Sequence, residues 1–141
     1  MVLSKRVTQD LRESRGLAYG VGCSLEDFGA KAWFTASMGT RPENLDVAEA
    51  GLREAIQRFS TSTLDPREVE RAVNAMRGQM AMRRMTRISQ AYSLGFNELL
   101  CRDTTFDAKL DAALGAVTPA EILRVARRYL DPARMVTAIT R

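Results

Sequence analysis

Histidine is absent from this chain of 141 residues. That absence excludes Ser-His-Asp and Cys-His nucleophile systems, every histidine-based zinc site, and the commonest general base near neutral pH. Cysteine is scarce. Cys23 and Cys101 stand far apart, and two thiols cannot close a structural zinc site without other ligands. A disulfide between them stays open from sequence, and two small buried thiols are the simpler reading. No apolar run approaches the ~18–20 residues of a membrane-spanning helix. No basic–apolar–small segment follows Met1, so nothing in this segment routes it to export by itself. A soluble protein is expected, cytoplasmic or periplasmic.

Lysine is also rare: the net charge of +4 comes from 18 Arg and 3 Lys against 17 Asp plus Glu. Arginine favours planar, bidentate contacts over simple solvation. Most of these arginines interleave with acids, as in Asp10–Arg15 and Asp65–Arg71. The stretch Arg71 to Asn97 differs, holding Arg71, Arg77, Arg83, Arg84 and Arg87 and no acid. It is a candidate anion-binding face. Nucleic-acid binding is not expected, because interleaved stacking aromatics and a reader motif are missing. A solvated or partner-facing helix surface is the blander reading.

What is present is a globular composition, 45% hydrophobic and 27% charged, on a length that suits one domain. Ser4 to Ser14 reads as a helix with Leu3, Val7 and Leu11 on one face, ended by Gly16. The period then changes to two. Tyr19, Val21, Cys23 and Leu25 alternate with small or polar residues. After Asp27-Phe28-Gly29, Ala30, Ala32, Phe34, Ala36 and Met38 alternate with Lys31, Trp33, Thr35 and Ser37. This predicts an antiparallel hairpin whose apolar face packs on helices. Trp33 falls on the other face and hints that something covers it.

The middle is helical. Thr40 and Glu43 suit a capping box before Leu45–Phe59, and Asp65-Pro66-Arg67-Glu68 repeats the start signal. Val69, Val73, Met76 and Met80 mark the next apolar stripe. Helices are expected from Ile88 to Leu100, Phe106 to Leu114 and, behind Thr118-Pro119-Ala120-Glu121, Ile122 to Leu130. Asp131-Pro132 stops the last, and Met135 to Thr140 reads as a final strand. The fold class is α+β, a small, mostly antiparallel sheet with helices packed on one face. Three visible strands are few, so either helices dominate or completing strands lie outside this chain.

Candidate chemistry is sparse. Glu43, Asp46 and Glu49 suit an acid/base or metal cluster, but their place at a helix start fits dipole complementation better. Met76, Met80, Met82 and Met85 offer an adaptable binding face or, more simply, core filling. Gly20 and Gly22 form a lone G-x-G without a phosphate loop, leaving only the close approach of another backbone. The joint from Arg12 to Tyr19 is different. Arg15 lies just past a helix end and Tyr19 at a strand start, so a guanidinium and a phenol project from a glycine-bent joint. Both are donors suited to peptide carbonyls or a developing oxyanion. A structural Arg–acid pair is the competing reading. Strict alternation would turn Tyr19 toward the side of Val21 and Cys23; a bend at Gly20 would free it.

The segment QDLRESRGLAYGVGCSLEDFGAKAWFTASMGTRPENLDVA resembles the non-catalytic C-terminal domain of the insulinase/pitrilysin-type zinc metallopeptidases, the inverzincins, whose catalytic domain carries H-x-x-E-H. The likeness continues through LDPREVERAVNAMRGQMA to VTPAEILRVARRYLDPARMVTAI. The Leu-Arg-Glu-x-Arg-Gly-Leu-Ala-Tyr run is its specific part. The resemblance implies two similar domains closing around a chamber, the first binding zinc, the second presenting an arginine and a tyrosine to a peptide substrate. The matching residues are Arg15 and Tyr19. It implies no catalytic or metal residue in this chain, zinc and general base in a partner domain or subunit, and proteolysis only by the assembly. The family's domain begins with a strand and a helix before the equivalent of Ser4, so residues 1–141 are expected to form one shortened domain. An uncovered sheet edge and helices with an incomplete partner then predict self-association, most simply a twofold dimer with extended sheet or buried apolar faces. A proteolytically inactive scaffold of the same fold is the alternative function.

Overall fold

The computed structural model describes residues 1–28, 31–100 and 102–140. Chain order is helix α1 (Val2–Val7) running on into a π-helical stretch (Thr8–Ser14), strands β1 (Gly20–Asp27) and β2 (Ala32–Gly39), a 3-10 turn (Pro42–Asn44), helices α2 (Leu45–Thr61), α3 (Pro66–Arg83), α4 (Arg87–Leu99), α5 (Phe106–Gly115) and α6 (Pro119–Tyr129), and a second 3-10 turn (Pro132–Arg134). The fold is α+β as expected. No helix among the described residues is long and apolar enough to cross a membrane.

The first helix shows how spacing becomes packing. Leu3, Val7 and Leu11 recur every fourth residue and are all buried. With Val2 they meet Phe59, Leu64, Val69 and Ala126 from α2, the α2–α3 link, α3 and α6. From Thr8 the turn widens. The Arg15 amide donates to the Asp10 carbonyl at 3.0 Å, and the Leu17 amide to the Leu11 carbonyl at 2.9 Å. Gly16 sits at φ +62 with open space where a Cβ would go. Only glycine takes that left-handed conformation without backbone cost. Gly16→Ala should therefore destabilise the chain by about 1–2 kcal/mol, whereas Gly20→Ala, equally open and without a positive φ, should not. Urea unfolding midpoints of the two variants check this, and equal midpoints would refute it.

The hairpin register pairs Val21 with Met38, Cys23 with Ala36, Leu25 with Phe34 and Glu26 with Trp33. The expected faces are thus correct. The part of the second run at Ala30, and Gly29 in the loop, lie outside the described residues. Val21, Cys23 and Met38 pack on the core, while Leu25 and Phe34, farther along the same face, are exposed. The hairpin therefore reaches beyond its helical support. On the other face Trp33 stacks on Phe28, with ring centroids 5.1 Å apart, yet stays half exposed. Its neighbour is the hairpin tip.

Three expectations need correction. The first helix begins at Val2, not Ser4. Thr40 does not cap α2: its hydroxyl donates to the Leu17 carbonyl at 2.7 Å, tying the end of β2 to the joint before β1, and a 3-10 turn opens the helix instead. The final strand does not form. Among the described residues the sheet has two strands; a strand needs a backbone edge to pair with, and Thr137 is tied to α2 instead. There Arg53 donates to the Pro132 carbonyl at 3.3 Å and to the Thr137 hydroxyl.

The other start signals work as written. Asp65 accepts from the Arg67 amide at 2.8 Å. Thr118 and Glu121 form a reciprocal capping box, whose backbone and hydroxyl hydrogen bonds from Thr118 hold the Glu121 carboxyl below its usual range.

Candidate substrate-binding joint

The joint from Arg15 to Tyr19 is held at both ends. Upstream, the π-helical turn ends on Arg15. Downstream, the Tyr19 amide donates to the Gly39 carbonyl at 3.0 Å, and Ala18 is buried. Together with the Thr40–Leu17 bond, these contacts make the joint a shaped corner between helix and sheet.

Arg15 and Tyr19 leave that corner differently. Tyr19 is 93% exposed, and its hydroxyl has no hydrogen-bond partner among the described residues. The bend before Gly20 releases it from the alternation, so its ring does not join Val21 and Cys23 in the core. Arg15 turns back. Its Nε donates to Asp10 Oδ1 at 3.0 Å, and both terminal nitrogens to Glu54 Oε2 at 3.3 Å. Arg58 also pairs with Asp10 and, at 3.7 Å, with Glu54. The Asp10 hydrogen bond, then its charge, raise the Arg15 pKa further above its ordinary value, with Glu54 adding to them. The pairs are solvent-exposed and individually weak, so a peptide carbonyl can compete for the guanidinium donors.

Sequence reasoning weighed an acid partner for Arg15 but missed what lets the arginine lie against α2. Gly51 is buried there; a Cβ on it would sit 3.0 Å from Leu11 Cδ2 and 3.7 Å from Arg15 Nη1. A glycine inside an otherwise regular helical stripe was the available signal.

The remaining candidates dissolve into structure. Two of the five arginines in the basic stretch are paired from α5: Arg77 with Asp111 at 2.8 Å, and Arg84 with Asp107. Sequence could not anticipate these pairs across elements. Glu49 pairs with Arg53 at 3.0 Å, and Asp46 sits in the first turn of α2. Met76 and Met80 are half-buried, while Met82 and Met85 are exposed, so the methionines divide between core and surface. Gly20 faces open space and Gly22 meets only the Ser37 hydroxyl at 3.8 Å. Among the described residues, no backbone atom lies within 4 Å of a Cβ placed on either. Cys23 packs on the core and burial raises its pKa, whereas Cys101 lies outside the described residues.

Residues suited to zinc are not assembled here. The chain lacks histidine, and no three Cys, Asp or Glu side chains cluster among the described residues. The donor set does not fit the metal of a zinc peptidase.

With this geometry in place, similarity to known proteins decides the family. The family described as the peptidase M16 inactive domain matches residues 2–76, a span that includes the whole joint. The chain belongs to the M16 inactive-domain family. An uncharacterized zinc protease of Streptomyces coelicolor is 27% identical over 128 residues, covering 91% of this chain and 28% of that protein. This M16 inactive domain thus spans about a quarter of that relative. A peptidase M16 inactive domain from Pseudomonas fluorescens superposes with a TM-score of 0.80 at 16% identity, over 90% of this chain and 30% of that one. The periplasmic protease PqqL of Escherichia coli gives 0.72 at 18% identity, over 91% and 14%. At such identities the superpositions establish the fold.

Proposed function

We propose that this M16 domain is the non-catalytic, substrate-gripping half of a zinc-dependent metalloendopeptidase. Zinc and the general base come from a separate H-x-x-E-H domain or subunit, and the substrate is a peptide. One observation carries the reading: the joint holds its backbone rigidly through Gly39 and Thr40 while presenting a phenol that is almost fully exposed. A tyrosine so placed gains nothing for the core; its hydroxyl is an unused donor. Arg15 offers a second, permanently charged donor four residues earlier. Together they can orient a peptide and polarise its carbonyls. The mismatch between this donor set and zinc is consistent with that division of labour.

The alternative, an inactive scaffold of the same fold, is favoured by the two carboxylates that already engage Arg15. Experiment separates the readings. The purified chain alone should hold no stoichiometric zinc and cleave no peptide, and adding the matching catalytic domain should produce chelator-sensitive cleavage. Zinc-dependent turnover by the chain alone would sink the proposal. So would a catalytic domain whose activity is indifferent to this chain.

A further inference from the structure

Arg15 does not meet its acids alone. With Asp10, Arg58 and Glu54 it closes a ring of alternating charge. Asp10 accepts from Arg15 Nε at Oδ1, over 3.0 Å, and from Arg58 Nη2 at Oδ2. Glu54 accepts at Oε2 from both terminal nitrogens of Arg15, over 3.3 Å, and turns Oε1 toward Arg58 Nε at 3.7 Å. Each carboxylate thus offers one oxygen to each arginine, and the four charges cancel. Among the described residues neither acid has another ion-pair partner.

The backbone builds this ring from two sides. In a regular α-helix, residues five apart lie about 140° from each other around the axis, so Asp10 and Arg15 would not share a flank. The π-helical turn, in which the Arg15 amide reaches back to the Asp10 carbonyl, brings position 15 round toward position 10. Such widened turns recur at functional sites. On α2, Gly51, Glu54 and Arg58 follow at spacings of three and four, which places them on one face. The missing Cβ of Gly51 leaves the room in which the Arg15 guanidinium lies.

The fork of Arg15 faces Glu54, so turning that fork onto a peptide means leaving this carboxylate. Without Arg58 the exchange would strand two neighbouring carboxylates with no cation. With Arg58 in place, each acid keeps one partner, and the release of Arg15 costs less. We propose that Arg58 is a positioning residue for the substrate grip: it holds Asp10 and Glu54 when Arg15 leaves them for the peptide. This role rests on the substrate-gripping reading of the joint; the ring of charge does not.

Two measurements test the role. The first is a double-mutant cycle by urea unfolding. Arg15→Ala should change the folding equilibrium constant by less than about twofold while Arg58 is present, and by roughly fivefold in the Arg58→Met background, where both acids lose their last cation. Additive losses would overturn the proposal. The second is steady-state cleavage of a quenched fluorescent peptide by the assembled peptidase. Arg58→Met should raise the Michaelis constant roughly fivefold and leave the turnover rate within about twofold, since the cost of freeing Arg15 falls on binding. Arg58→Lys, which keeps the charge, should recover most of the loss. So should Glu54→Gln in the Arg58→Met background, because Arg15 then has one charged acid fewer to leave. An unchanged Michaelis constant in Arg58→Met, alongside an impaired Arg15→Ala, would overturn the role of Arg58 and keep the joint in the substrate site. A fully active Arg15→Ala would instead remove the joint from that site, and the role of Arg58 with it.

Discussion

In the peptidase proposed above, replacing Tyr19 by Phe should lower the turnover rate by roughly 100- to 1000-fold, the usual cost of one donor that acts where charge develops on the reacting carbonyl. The Michaelis constant should move much less. The substitution deletes one oxygen from a ring that is 93% exposed, so the folded domain should lose nothing measurable. Arg15→Ala should impair both parameters, because a permanent charge also contributes to binding the ground state. Its stability cost should be small, since the bonds to Asp10 and Glu54 are exposed on a solvated face and such pairs are worth little. If Arg15 were purely structural, the outcome would reverse: a large fall in stability, with activity tracking the folded fraction. Steady-state kinetics and thermal unfolding on the same two variants decide between them. Full activity in both would remove the joint from the substrate site.

The largest stability loss is expected at Leu11, not at Arg15 or Tyr19, the residues proposed to hold substrate. Leu11 is fully buried in the π-helical stretch, and its methyl group lies 3.0 Å from the position of a Cβ on Gly51. Leu11→Ala removes that filling where the corner leading to Arg15 is braced, and should cost about 2–5 kcal/mol. That is a large share of the roughly 5–15 kcal/mol that holds a domain together. Denaturant unfolding measures it directly. A cost below about 1 kcal/mol would mean that the widened turn collapses to fill the space, and the corner would then not be rigid.

The elements were legible wherever a local rule governs them. Leu3, Val7 and Leu11 announce a helix face because four residues make slightly more than one turn. The two alternating runs announce a hairpin and its two faces, since successive side chains of a strand point to opposite sides. Asp65 and Thr118 mark helix starts because a short polar side chain answers unpaired backbone amides a few atoms away. The resemblance of the Leu-Arg-Glu-x-Arg-Gly-Leu-Ala-Tyr run to the metallopeptidase family also needed no coordinates.

What local rules could not settle was every contact made at long range. Thr40 has the chemistry of a cap, but the Leu17 carbonyl was nearer once the hairpin closed. Residues 135–140 have the pattern of a strand, but Thr137 bonds to Arg53 and Glu49 of α2 and no sheet edge pairs with the segment. The basic stretch carries no acid of its own, yet α5 brings Asp107 and Asp111 to it. At the bend that frees its ring, the Tyr19 amide bonds to the Gly39 carbonyl, twenty residues away. Sequence by itself determined the helices, the hairpin, the family likeness and the want of histidine. Tertiary structure alone decided which donors stay free and which charges are cancelled, because hydrogen bonds and ion pairs follow distance in space, and folding sets that distance between residues far apart in the chain.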